Sequence, residues 1–93
     1  MLDGRYPPIL ILGRDTCEDT VRVRAHLDAL GVPYTYGNVE LDQAADARIR
    51  ALNGGNQSTP TILIGDPEAP DRVVVEPSDD ELDAAIAEVA AAR

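Results

Sequence analysis

A chain of 93 residues, 44% hydrophobic and with a formal net charge of -9, holds enough apolar material for one core and too little for two. Eight basic side chains, all arginine, stand against 17 acidic ones, which argues against a nucleic-acid binder because phosphate neutralisation needs a basic face. No apolar run reaches membrane-spanning length, no charged-then-apolar leader opens the chain and one cysteine cannot form an internal disulfide, so a single cytoplasmic, monomeric domain over 1–93 is expected, with no membrane partner.

Ile9-Leu10-Ile11-Leu12 reads as a buried strand, introduced by Pro7-Pro8 and ended by Gly13. From Cys17 to Leu30 the apolar positions Val21, Val23, Leu27 and Leu30 recur at mostly helical spacing. Thr16 or Asp15 is placed to cap that helix, and Gly31-Val32-Pro33 stops it. Tyr34 to Val39 is a short strand with an irregular end at Gly37-Asn38, and Tyr34 and Tyr36 should share one side of it. Asp42 caps a second helix running through Ala44, Ala45, Ala47, Ile49 and Leu52 and closed by Asn53-Gly54-Gly55.

Thr61 to Gly65 and Arg72 to Glu76 read as two further strands, joined across Asp66–Asp71 as a hairpin with a longer loop than a tight turn. Ser78 caps a last helix, Glu81 completes a capping box, and Leu82, Ile86 and Val89 make its apolar face. The order β-α-β-α-β-β-α predicts an α/β sandwich. A parallel pair with a helical crossover is followed by a hairpin and a terminal helix, giving a four-stranded mixed sheet flanked by helices.

Three places carry chemistry-bearing residues. Cys17 lies where a strand and short turn give way to a helix, and there the first-turn N–H groups and the helix dipole favour a thiolate. Free cysteines are also among the most buried residue types, so a structural thiol is the competing reading; the polar neighbours Asp15, Thr16, Glu18 and Asp19 favour an accessible one. Glu18 and Asp19 disfavour ionisation while Arg14 and the helix start favour it, and the sign of the balance is not legible. Thr20 stands three residues on, where a dithiol motif would hold a second sulfur. A lone thiol must therefore borrow its partner from another molecule.

The segment Gly54-Gly55-Asn56-Gln57-Ser58-Thr59-Pro60-Thr61 is a glycine-rich loop that ends in a proline before a strand, which suits either a cis or a trans bond. Ser78-Asp79-Asp80 is an acidic helix start that caps itself and could also present N–H groups and a carboxylate to a zwitterionic ligand. His26 reads as a surface residue rather than a catalytic base. With no second cysteine or histidine, no metal site is expected.

Taken together, the order and spacing of these segments resemble the glutaredoxins, thioredoxin-fold proteins that reduce mixed disulfides between proteins and low-molecular-weight thiols, and above all their mycoredoxin-like branch. Cys17-Glu18-Asp19-Thr20 stands at the C-x-x-C or C-x-x-S position. Asn53 to Thr61 is similar to an N-G-G-N-R-T-V-P-T stretch, and Glu76-Pro77-Ser78-Asp79-Asp80-Glu81-Leu82 to N-P-S-x-D-E-V. The likeness runs from Ile9 to Val89.

The resemblance implies a thioredoxin-like fold, Cys17 as attacking thiolate and Thr20 as its motif partner. It implies that Arg14 meets a ligand carboxylate and that Thr59, after Ser58 and before a cis Pro60, offers backbone groups to the ligand's cysteinyl part. Ser78 and Asp79 would hold its γ-glutamyl end, or the mycothiol equivalent, and Gln57 would add a contact. Mycothiol or glutathione would be a co-substrate, with no tightly bound cofactor, and protein mixed disulfides would be the partners. Thr20 departs from a dithiol motif, Glu18 and Asp19 replace the usual Pro/Gly and aromatic pair, and the motif is not the C-G-F-S of cluster-holding monothiol glutaredoxins. The acidic, atypical motif leaves a redox-inactive thioredoxin-fold adaptor as the alternative function, and an iron–sulfur-bridged dimer, with Cys17 from each subunit and two external thiols as ligands, is a third reading.

Overall fold

The structure, a computed structural model, describes residues 6–93. Its elements are β1 (Ile9–Gly13), α1 (Glu18–Leu30), β2 (Thr35–Asn38), α2 (Gln43–Leu52), β3 (Thr61–Asp66), β4 (Ala69–Val75) and α3 (Asp79–Ala91). They form one mixed sheet in the order β2-β1-β3-β4. β1 pairs parallel with β2 and antiparallel with β3, and β3 pairs antiparallel with β4. This is the α/β, thioredoxin-like arrangement of a glutaredoxin fold.

Period-two alternation sorts the apolar strand residues between two faces. Ile9, Ile11, Ile62 and Ile64 pack with Val23 and Leu27 of α1 and with Leu82, Ala85, Ile86 and Val89 of α3. Leu12 and Leu63 face the other way, onto Ala45 and Ile49 of α2, with Leu10 packed alongside. The runs Ile9–Leu12 and Ile62–Ile64 of the two central strands are therefore continuously apolar, because both of their faces are covered. Tyr34 and Tyr36 pack against the α1/α3 face, on the same side as expected.

Some details differ from the sequence reading. Residue Cys17 itself is the N-cap of α1, in extended geometry, while Asp15 turns to Tyr36 and Arg24. On α1 the buried line is Thr20, Val23 and Leu27; Val21 and Leu30 are exposed, because the 3.6-residue repeat aligns 20, 23 and 27 and carries 21 off that face. The hairpin is tighter than predicted. β3 and β4 pair as far as Asp66 and Ala69, and a bulge at Ile64/Gly65, where Gly65 has a φ of 109°, absorbs Pro70 and Asp71 into the strand. Finally, Glu76 ends β4 with a φ of 48° instead of continuing it.

Register places the site. Leu12 pairs with Thr61 across β1 and β3, and Thr61 pairs with Val75 across β3 and β4. The chain leaving β1, the chain entering β3 and the chain leaving β4 therefore all lie at one end of the sheet. Those are the segments that hold Arg14 to Cys17, Ser58 to Pro60 and Pro77 to Asp79. A backbone bond from Glu76 N–H to the Pro60 carbonyl, 2.8 Å, ties two of them together.

Candidate active site

The turn after β1 is closed by the Cys17 N–H on the Arg14 carbonyl at 3.2 Å, and the α1 ladder begins with Val21 N–H on the Cys17 carbonyl at 3.0 Å. This leaves Cys17 half-buried at the helix start, with a side chain that makes no capping bond. Its Sγ donates to the carbonyl oxygen of Thr59 at 3.6 Å, which is within reach for sulfur. The Thr59–Pro60 peptide is cis, and both residues are buried. Arg14 Nε donates to Thr59 Oγ1 at 3.3 Å, so the guanidinium, the hydroxyl and the sulfur form one cluster.

Burial pushes the Cys17 thiol up, but hydrogen bonding to the Thr59 side chain, to the side chain and backbone of Thr20 and to the backbone of Asp19 brings it below its ordinary value. Hydrogen-bond donors, rather than the surrounding carboxylates, set the direction that the sequence left open. Thr20 lies beneath the sulfur with no exposed surface, and its Oγ1 has no partner of good hydrogen-bond geometry.

The carboxylates are largely committed elsewhere. Asp15 accepts from the Tyr36 hydroxyl at 2.8 Å and lies 3.5 Å from Arg24, whose guanidinium stacks 3.9 Å over the Tyr36 ring. Burial and the neighbouring Asp15 push the Tyr36 phenol up to about 12. Asp19 pairs with Arg22 at 3.6 Å. Every other arginine among the described residues has a carboxylate within ion-pair distance; Arg14 has none. Its terminal nitrogens are thus the cation beside the sulfur that is left for an incoming anion.

The remaining predicted site residues divide. Ser58 gives its carbonyl to Thr61 Oγ1 at 2.7 Å and so fixes the approach to β3. Gln57 donates to Asp46 on α2 at 2.8 Å, a bond that holds the Asp46 carboxyl below its ordinary value and commits the amide to that carboxylate. Ser78 is the N-cap of α3 in a complete capping box with Glu81. Asp79 accepts from Arg22, which also donates to the Pro77 carbonyl at 2.8 Å, and lies 3.6 Å from His26 Nδ1.

His26 is therefore no free surface residue. It sits half-buried between α1 and α3, with Nε2 2.7 Å from Asp83. The ties from Arg22 and His26 are what sequence reading missed; both side chains fall on α1 near the start of α3, and no local pattern joins them. No helix is long and apolar enough to cross a membrane, and no group of three potential metal ligands occurs, both among the described residues. A concavity lined by Tyr6, Pro7, Pro8, Pro33, Tyr34 and Pro67 lies at the opposite end of the sheet, away from Cys17.

Comparison with known proteins matches one family. The sequence model of the glutaredoxin family covers residues 9–67, which takes in β1, Cys17, Thr20 and the Thr59–Pro60 segment. Comparison with curated proteins finds no match.

Proposed function

The chain belongs to the glutaredoxin family, a family of thiol–disulfide oxidoreductases, and on that premise we propose that it is a monothiol, mycoredoxin-like member that reduces protein mixed disulfides through Cys17. The observation that carries this reading is a half-buried sulfur lowered by hydrogen bonds and flanked by a guanidinium that has no carboxylate partner among the described residues. A lowered thiol at neutral pH also weighs against an inert adaptor.

In this reaction the Cys17 thiolate attacks the small-thiol sulfur of a protein–thiol mixed disulfide. A bond forms between Cys17 Sγ and that sulfur, the original disulfide breaks, and the protein leaves as a thiolate that takes a proton from water. A second small thiolate then attacks the adduct and returns the Cys17 thiolate, releasing the symmetrical small disulfide. One mixed disulfide and one thiol become one protein thiol and one small disulfide.

Arg14 and the backbone of Thr59 hold the small thiol in this reading, through a charge-assisted bond to its carboxylate and main-chain bonds to its cysteinyl part. First-turn N–H groups at Asp79 and Asp80 lie on the same end of the sheet and suit the far end of the ligand. Mycothiol and glutathione both fit this chemistry. The test is turnover of a mycothiolated and a glutathionylated model protein by wild type and Cys17→Ser. Turnover that needs Cys17 supports the proposal; no turnover by wild type on either substrate, or equal turnover by the variant, overturns it.

A further inference from the structure

A carboxylate at the Cys17 end of the sheet is the natural acceptor for an ammonium group on an incoming thiol, and Asp79 stands there, half-buried at the start of α3. Both of its oxygens are already engaged from α1. Oδ1 accepts from Arg22 Nη1, and Oδ2 lies 3.6 Å from His26 Nδ1. Arg22 also donates to the Pro77 carbonyl at 2.8 Å and stands 3.6 Å from Asp19. An isolated surface pair opens readily, but a guanidinium shared by a backbone carbonyl and two carboxylates is anchored in one place. Ser78 is engaged as well, its N–H donating to Glu81 at 2.8 Å and its Oγ accepting from the Glu81 N–H at 3.1 Å.

We propose that Arg22 is a specificity-determining residue of the exchange reaction: it occupies the Asp79 carboxylate, so that small thiols carrying no ammonium are taken as readily as zwitterionic ones. This rests on the proposed exchange reaction at Cys17. The site then offers an incoming thiol the Arg14 cation and no matching anion at Asp79.

An ammonium brought to Asp79 must displace the guanidinium or share the carboxylate with it at contact distance, where like charges repel. A free carboxylate in the same position would give the ammonium a charge-assisted hydrogen bond, about tenfold in affinity. The intramolecular guanidinium has the further advantage that its α1 backbone is already ordered, whereas a ligand must be immobilised to make the same contact.

The probes are glutathione and its deamino analogue glutaryl-cysteinyl-glycine, which differ only in the ammonium. The protein is equilibrated with equimolar amounts of both thiols and of both their disulfides, and the two Cys17 adducts are quantified by intact mass. Each adduct forms as the Cys17 thiolate displaces one small thiolate from its disulfide, and the adducts interconvert by exchanging one small thiol for the other. Wild type should hold the two adducts within about twofold of each other, and Arg22→Gln should favour the glutathione adduct by about tenfold. The double variant Arg22→Gln/Asp79→Asn has the wild-type net charge and should return to the wild-type ratio. Arg72→Gln makes the same change in net charge at the other end of the sheet, where Arg72 pairs with Ile64 and Ile64 with Ile9, and should leave the ratio as it is.

A larger wild-type preference for glutathione, including one set by the exposed Glu18 or Asp80, overturns the role. So does an Arg22→Gln ratio that matches Arg72→Gln or survives in the double variant. Arg22→Met, which keeps the apolar stem, supplies the answer if Gln fails to fold. Failure of the exchange reaction itself shows separately, as absent wild-type turnover of mixed disulfides beside measurable adduct ratios.

Discussion

The sulfur of Cys17 lies 3.6 Å from the carbonyl oxygen of Thr59, a residue 42 positions further along the chain. Nothing local brings them together. The antiparallel pairing of Leu12 with Thr61 sets the end of β1 beside the start of β3, so the loop that follows one strand faces the loop that precedes the other. The thiol's environment is thus a product of sheet register.

Thr59→Val keeps that carbonyl and removes the hydroxyl that Arg14 orients towards the sulfur. We predict that Cys17 moves up towards its ordinary value and that alkylation at neutral pH slows by up to about tenfold. An unchanged pH profile would place the Thr59 contribution entirely in its backbone.

Linkage gives a second prediction. Cys17 is lowered in the folded protein, so its contribution to stability is fully present above the unfolded thiol's value and is lost as pH falls through the folded one. In reduced protein, the urea-unfolding stability of wild type relative to Cys17→Ser should therefore rise with pH across that alkaline window. A difference that is flat or falls with pH would contradict the direction of the shift.

Arg14→Gln removes the described arginine that lacks a carboxylate partner. KM for the small thiol should rise by about tenfold, the loss of one charge-assisted bond, and the added salt sensitivity of the wild-type reaction should disappear. Steady-state kinetics at two ionic strengths check both. The same KM in the variant would move the ligand carboxylate elsewhere.

Gly13→Ala tests the packing under the site. The new Cβ would come 2.6 Å from Thr20 Oγ1 and Cγ2, and Thr20 is fully buried. Overpacking of this kind costs about 1–3 kcal/mol. A lower urea midpoint should appear together with a changed Cys17 alkylation profile, because the displaced side chain is the one beneath the sulfur.

Local signals made most of the fold readable. Pro7-Pro8 and Gly13 bracket β1, Gly31 ends α1 with a φ of 70°, and Ser78 with Glu81 forms the expected capping box. Each is a short-range fit of residue type to backbone geometry, which is what a sequence pattern records. The differences came where a distant residue competes for a side chain. Asp15 could have capped α1, yet the Tyr36 hydroxyl 21 positions away claims it. Asp79 looked like a free carboxylate, but Arg22 reaches it across 57 positions. The direction of the Cys17 shift was illegible for the same reason: its neighbours in sequence are acids, while its donors include one from the opposite loop.

Threonine at position 20 has a kinetic consequence for the proposed cycle. In a dithiol enzyme the resolving sulfur is part of the molecule, and its effective molarity is fixed by the fold. Here the resolving sulfur arrives by diffusion, so the lifetime of the Cys17 adduct scales inversely with the free concentration of reduced small thiol. The enzyme would then spend its time adducted when that pool is depleted and free when it is replete. Its own occupancy would be a gauge of the redox state in which it works.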